Sequence, residues 1–322
     1  MPVVISLINL KGGVAKTTTT VQIADYLSLA GKRVLVIDLD PQANATESLL
    51  GRDRALAVSS DEELPTGGIK NRNISQCFFD YLENTQYFNI HTICCQDTSN
   101  LKSVKGPDLL PASLNLLDVQ DRLTEITQKS GYMISPVEVL KFAVSPILHK
   151  YEVVLIDCPP SLNLMTRNAL EISHYYLIPV INDPLSTRGL YQILKRINNY
   201  SQIRQWEIEC IGILITKYRF NSVQFFVDSR SNLEELVDSR CHSIGIQTPY
   251  IFKAYMPESK GVSEAMDINS SDDSGIIRQL TFAQKYQNPV GEPKQPLSYW
   301  IKSIVHELID EINKKNESIT RS

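Results

Sequence analysis

The run Lys11-Gly12-Gly13-Val14-Ala15-Lys16-Thr17-Thr18 carries the densest chemistry in this chain. Adjacent glycines let a backbone turn tightly, so that successive N–H groups point inward and form a nest for an anion. An apolar stretch precedes the run and a helical pattern follows it. The helix that opens near Lys16 therefore adds its N-terminal dipole to the nest. A lysine there can reach β- and γ-phosphates, the Thr17 hydroxyl can sit on Mg²⁺, and Thr18 falls where an α-phosphate would lie. The loop reads as a phosphate cradle, with ATP or ADP and Mg²⁺ as the expected ligands and the backbone of Val14 and Ala15 as part of the cradle.

Such a loop needs a strand before it and a helix after it, and both are legible. Residues 2–9 (PVVISLIN) form a β-branched, apolar run that predicts a buried strand. From Thr17 to Leu29, the residues Val21, Ile23, Ala24, Leu27 and Leu29 recur at helical spacing, and Gly31 stands where a helix stops. KRVLVIDLD follows as a second apolar run. Strand, helix and strand within forty residues make a βαβ unit and hence a parallel sheet. YEVVLIDCPP, HYYLIPVI and ECIGILITKY supply further strands, QCFFDYLE a helix, HTICC a strand, and LLPASLNLLDVQDRL a strand, turn and helix. The expected fold is α/β: a doubly wound, mostly parallel sheet flanked by helices. One P-loop domain is expected over 1–322, with variable inserts near 51–75 and 270–298, where polar and turn-forming residues dominate.

Two further motifs end apolar runs in aspartates. VIDLDPQAN puts Asp38 and Asp40 at the carboxyl end of the second strand, and VLIDCPPSLNLMTRNAL does the same for Asp157. In doubly wound sheets that edge is where ligands bind. Alone, either motif would read as a strand running into a polar turn.

Together the three motifs resemble the ParA/MinD family of deviant Walker A ATPases, whose signature is K-G-G-x-x-K-[ST]-[ST] and whose second motif is D-x-D-P-Q-x-N. Plain Walker A glycines are absent here: Leu10 and Ala15 occupy those places, and Lys11 precedes the glycine pair. The likeness is strong over 1–48 and 152–195, moderate over 109–123 and weak after 210. It implies an ATP hydrolase that converts ATP and water to ADP and phosphate, slowly and under stimulation by a partner. Asp40 would orient the attacking water, Asp157 would hold a Mg²⁺-bound water, and Asp38 would stand behind the metal. Lys11 would reach the nucleotide of a second subunit in an ATP-sandwich homodimer. The family's base pocket implies Thr216, Lys217, Met256 and Pro257 as adenine contacts. Here Met256-Pro257-Glu258-Ser259 replaces the usual IPRN-type segment.

Within the family, ParA-like members bind DNA without sequence preference. The basic residues that could do so are Arg188, Lys195, Arg196, Arg204, Lys217 and Arg219. The implied protein positions a cargo in the cytoplasm, on the nucleoid. The cargo is a plasmid or chromosome origin through a ParB-like adaptor, or a carboxysome through an McdB-like one, as in McdA-like relatives. The alternative is a MinD-like membrane-associated regulator. The amphipathic stretch 300–312 mixes Lys302 and His306 with Glu307, Asp310 and Glu311 on its polar face, which predicts a core-packing helix and no membrane partner. No helix-turn-helix extension precedes the phosphate loop, so operator-specific binding is not expected.

Composition bounds these readings. Hydrophobic residues are 43% and charged residues 21% of 322, enough for a large core. A net charge of −4 excludes a chain coated in positive charge but not a local basic patch. No apolar stretch approaches the roughly 18 residues that span a bilayer, and the N-terminus lacks the basic region and cleavage site of a signal peptide. The six cysteines contain no C-x-x-C pair, so reduced, mostly buried thiols are expected and a zinc or iron–sulfur site is not.

Overall fold

Each of the strands β1 (Val3–Leu7), β2 (Val34–Asp38) and β4 (Val153–Asp157) is a five-residue apolar run, and each alternates its side chains between two cores. Val4, Leu35, Ile37, Val154 and Ile156 enter one core, while Ile5, Leu7, Val34, Val36 and Leu155 enter the other. A strand covered on both faces has no polar face, which is why these segments read as continuous rather than alternating hydrophobic runs. The computed structural model describes residues 2–59, 72–98, 105–219, 223–258 and 297–321.

Three further strands, β3 (Asp108–Leu110), β5 (Tyr175–Ile181) and β6 (Glu209–Thr216), complete a six-stranded sheet of order β3-β2-β4-β1-β5-β6. Every neighbouring pair is parallel. The chain leaves β1 in one direction and β5 follows on its other side, so β1 lies where the winding reverses. Loops after β1, β2 and β4 therefore meet at one edge, the place where open α/β sheets bind ligands.

Helices cover both faces. On one side lie α1 (Lys16–Leu29), α2 (Asn44–Leu50) and, at the end of the described chain, α12 (Leu297–Arg321). The other side holds α4 (Ser75–Glu83), α6 (Leu116–Arg122), α7 (Ile126–Lys129), α8 (Val139–Leu148), α9 (Leu164–Ile172), α10 (Pro184–Arg204) and α11 (Val223–Ser243). α1 stops at Ala30, and Gly31, at φ +81°, donates its N–H to the Ser28 carbonyl, a left-handed exit that glycine adopts without penalty.

Two segments depart from the sequence reading. Residues 52–59, expected as loop, form the helix α3 (Arg52–Ser59), none of whose residues is buried. Residues 60–71 of that insert and 270–296 of the second lie outside the described residues. HTICC, expected as a strand, is instead the single helical turn α5 (Ile90–Ile93), capped by the Asn89 side chain, which accepts the His91 N–H. Only Cys95 keeps a strand-like contact, an antiparallel bridge to Leu109.

α12 buries Ile301, Ile304, Val305, Leu308 and Ile312 against α1 and β6. At roughly 1.5–3 kcal/mol for each such side chain, that burial commits this face to the core. Its polar side is engaged too: Glu307 accepts from the Tyr250 hydroxyl and from the Lys253 and Ala254 amides, each at 2.8 Å. Among the described residues, no helix is long and apolar enough to cross a membrane.

Candidate active site

The phosphate loop hangs between β1 and α1. Asn9, buried at the end of β1, donates to the Pro179 carbonyl of β5 at 2.7 Å and accepts the Lys11 N–H at 2.9 Å. From the other side, Thr216 of β6 donates its hydroxyl toward the carbonyls of Val14 (3.0 Å) and Val180 (3.1 Å). The loop is thus fastened to two strands. Gly13 takes φ +73°, and a Cβ built on Gly12 or Gly13 would meet nothing within 4 Å. The space in front of the loop is open, as a cradle for phosphate requires. The first-turn amides of α1 have no side-chain cap, so they remain available to an anion.

Ala15 is left-handed at φ 59°, where the plain motif carries glycine. That conformation costs an alanine roughly 1–2 kcal/mol, partly offset because glycine loosens the unfolded chain. Ala15→Gly is expected to raise the unfolding free energy by up to about 1 kcal/mol, read from urea denaturation without nucleotide. A loss of stability would show that the strain lies elsewhere.

Lys16 and Lys11 differ in placement. Lys16 is 7% exposed and lies close enough to Asp157 to lower its pKa. Lys11 stands at the lip, its side chain 39% exposed, and its ammonium is 2.8 Å from Asp183, just past β5. Sequence reasoning did not single out Asn9 or Asp183. Neither belongs to a motif; both act through the strand order.

Asp38 and Asp157 end β2 and β4 in direct register and are fully buried. Burial first, and Asp157 second, push the Asp38 carboxyl well above its ordinary range. Burial also raises Asp157, against hydrogen bonds from Thr17 and Thr20 and the charge of Lys16. Asp157 accepts the Thr17 hydroxyl at 2.6 Å and the Thr20 hydroxyl at 3.4 Å. Asp38 accepts the Thr46 amide and hydroxyl, both at 2.8 Å, and the Asp40 amide at 3.1 Å. Its carboxylate thus holds the β2–α2 loop that carries Asp40. Asp40, 8% exposed, accepts the Gln42 amide at 3.0 Å. Thr17, Asp40 and Asp157 offer the hard oxygens that suit Mg²⁺. Among the described residues, no three His, Cys, Asp or Glu side chains converge on one point.

Residues 3–209 match the family described as an AAA domain. The sporulation initiation inhibitor protein Soj of Bacillus subtilis is 31% identical over 230 residues, 71% of this chain and 75% of Soj. The chain belongs to the ParA/MinD family of P-loop ATPases. The chromosome partitioning protein ParA of Myxococcus xanthus is 29% identical over 261 residues, covering 81% of this chain and 77% of that one. Among solved structures, cobyrinic acid a,c-diamide synthase from Mycobacterium smegmatis with bound ADP and magnesium is 28% identical. It covers 83% of this chain and 94% of its own, with a TM-score of 0.59. The structure of pnob8 ParA covers 98% and 100% at a TM-score of 0.69 and, at 22% identity, speaks for the ParA-type fold.

A stretch after α11 lies along β6: the Ile213 amide donates to Tyr250, Phe252 to Ile213, Met256 to Ile215 and Tyr218 to Met256. Gly212 permits it, since a Cβ there would lie 2.5 Å from the Phe252 ring. Lys217, left-handed at φ 51° and exposed, and Pro257, half-buried, come together at its end through the Tyr218–Pro257 bridge. Thr216 and Met256 are buried, and the Thr216 hydroxyl is held by the phosphate loop.

The basic residues divide. Arg204 bonds Glu171 at 2.8 Å and Glu138 at 3.2 Å, tying α10 to α9 and α8. Arg219 pairs with Glu258. Lys195 and Arg196 are exposed on α10, Lys217 is exposed beyond β6, and the Arg188 side chain lies outside the described residues. Of the six cysteines, Cys77, Cys158 and Cys241 are buried and the other three half-buried, all as thiols.

Proposed function

We propose that this chain is a ParA-type positioning ATPase. It binds ATP with Mg²⁺, pairs with a second copy around the nucleotides, holds double-stranded DNA without sequence preference, and lets go when an adaptor speeds hydrolysis. The observation that carries this is the split placement of the two loop lysines. Lys16 is buried beside Asp157, and Lys11 stands partly exposed at the lip, paired with Asp183, where it would be open to a partner's nucleotide.

Phosphoryl transfer asks the protein for position and charge more than for covalent chemistry. Lys16 and the uncapped amides of α1 would hold the β- and γ-phosphates. Thr17 and Asp157 would hold Mg²⁺, which neutralises charge developing on the phosphate oxygens. Asp40, fixed by its turn, would orient water. Lys11 would place a cation over the transferred group from across the interface, so ATP joins the two subunits and hydrolysis separates them. The reading places the protein in the cytoplasm on the nucleoid. Its cargo would be a plasmid, a chromosome origin or a carboxysome, through a ParB-like or McdB-like adaptor.

Retention on random-sequence duplex in ATP, with steep loss at rising salt, is the expected result. Cosedimentation with anionic liposomes instead would favour the MinD-like alternative. An ATPase rate indifferent to both DNA and protein partners would favour a small-molecule enzyme.

The Lys11–Asp183 pair bears on the dimer. For Lys11 to reach across an interface, this pair must open. A partly exposed pair of this kind is worth about 0.2–1 kcal/mol. Asp183→Asn is therefore expected to raise the ATP-dependent dimer population by roughly 2- to 5-fold, measured by analytical ultracentrifugation. A weaker dimer would mean that Asp183 aligns Lys11 for its partner rather than competing for it.

A further inference from the structure

We infer that the solvent face of α10, joined by Arg240 of α11, is the surface that grips the DNA backbone; this rests on the DNA-binding reading above. α10 contains no aspartate or glutamate in 21 residues. Its inner side packs Leu190, Ile193, Leu194 and Ile197 into the core. Gln192, Lys195, Arg196 and Asn199 recur at i, i+3, i+4 and i+7 and are all exposed, so they share one face.

Tyr191 organises the charges beside this face. Its ring lies 6.0 Å from the Lys195 ammonium and 5.7 Å from the Arg240 guanidinium carbon. Cation–π attraction to one ring draws two long side chains from two helices to a common place. Of the carboxylates near these helices, Glu138 and Glu171 are engaged by Arg204, Glu234 by Arg230, and Asp238 by Thr248 and His242, while Asp228 and Glu235 of α11 are exposed. Among the described residues, Lys195, Arg196 and Arg240 take part in no ion pair.

A local excess of cations on a chain of net charge −4 is a binding feature rather than a general property of the surface. The face presents only donors with positive charge and neutral amides. It spans about 10 Å along the helix, a length over which a duplex offers several phosphates. That chemistry suits an unbroken polyanion read through its backbone. It also sorts four of the six basic candidates of the sequence. Lys195 and Arg196 belong to the surface, Arg240 joins them, and Arg204 and Arg219 are neutralised by their own glutamates.

The test uses the full chain with Mg²⁺ and a hydrolysis-resistant ATP analogue, titrated with random-sequence duplex across a KCl series. The triple variant Lys195→Gln, Arg196→Gln, Arg240→Gln is expected to lose about ten-fold or more in affinity at low salt. Its salt slope should be shallower by about two to three units, with melting temperature and basal ATP turnover unchanged. Arg219→Gln should keep both affinity and slope. Tyr191→Leu should weaken binding, and Tyr191→Phe should restore it. If the triple variant misfolds, Lys195→Gln and Arg240→Gln singly carry the test, each expected to cost about one unit of slope. Wild-type affinity and slope in the triple variant would overturn this surface while leaving DNA binding by the protein intact. Failure of the unmodified protein to bind duplex would sink both readings. Normal DNA binding by the triple variant, with loss of binding to an acidic adaptor peptide, would give the face to a protein partner instead.

Discussion

Lys16→Ala should all but abolish capture of ATP and ADP. Lys16 is the one loop cation held inside the site, 7% exposed, with the Asp157 carboxylate near enough to feel its charge. On the proposed reading its ammonium would meet the β- and γ-phosphates. Hydrogen bonds to charged groups are worth about 1.5–3 kcal/mol each, so losing contact with two phosphates should cost at least about 100-fold in affinity. Isothermal titration with ATP and Mg²⁺ reads this directly. The alanine also removes the positive charge near the buried Asp157 carboxyl, so a thermal melt must accompany the titration. Lys16→Gln, which retains bulk, separates lost binding from lost stability. A folded variant with unchanged ATP affinity would refute the phosphate contact and with it the assignment of the loop.

The parts of the site that could be read from sequence are those coded locally. β1, α1 and β2 each carry their signal within a few residues: continuous apolar runs, a helical repeat, a glycine exit. The motif aspartates follow because a strand that ends in Asp delivers it to the sheet edge. What escaped the sequence depends on strand order. Asn9 reaches Pro179, and Thr216 reaches Val14, across more than 160 residues. No local pattern announces either bond. The family resemblance implies Thr216 as a base contact; its hydroxyl also ties β6 to the phosphate loop. HTICC looked like a strand because it is β-branched and apolar. Its conformation is set instead by Asn89 at its start and by Asp80, which accepts the amides of Tyr87 and Phe88 just before it. Short elements bound by such side chains yield to tertiary context more readily than long periodic ones.

The other large effect is expected at Asp40. Its carboxylate accepts the Gln42 amide, and its own amide donates to Asp38, so it sits in a turn built to aim it. It has no hand in fastening the phosphate loop. If it positions the attacking water, Asp40→Ala should leave ATP affinity within a few-fold and slow hydrolysis by about 10²–10⁴-fold, trapping the ATP-bound dimer. Alanine also deletes the acceptor for Gln42, so some loss could come from a slackened loop. Asp40→Asn keeps that acceptor and removes only the charge. Equal slowing in both variants would place the effect on the carboxylate; slowing in alanine alone would place it on the turn. A third pattern would point to the metal: near-normal turnover at high Mg²⁺, with ATP affinity that falls as Mg²⁺ is withdrawn. Single-turnover hydrolysis of a bound, labelled ATP over a Mg²⁺ series distinguishes the three. Rapid hydrolysis by Asp40→Asn at every Mg²⁺ concentration would remove Asp40 from the chemistry and leave the second motif as scaffolding for α2.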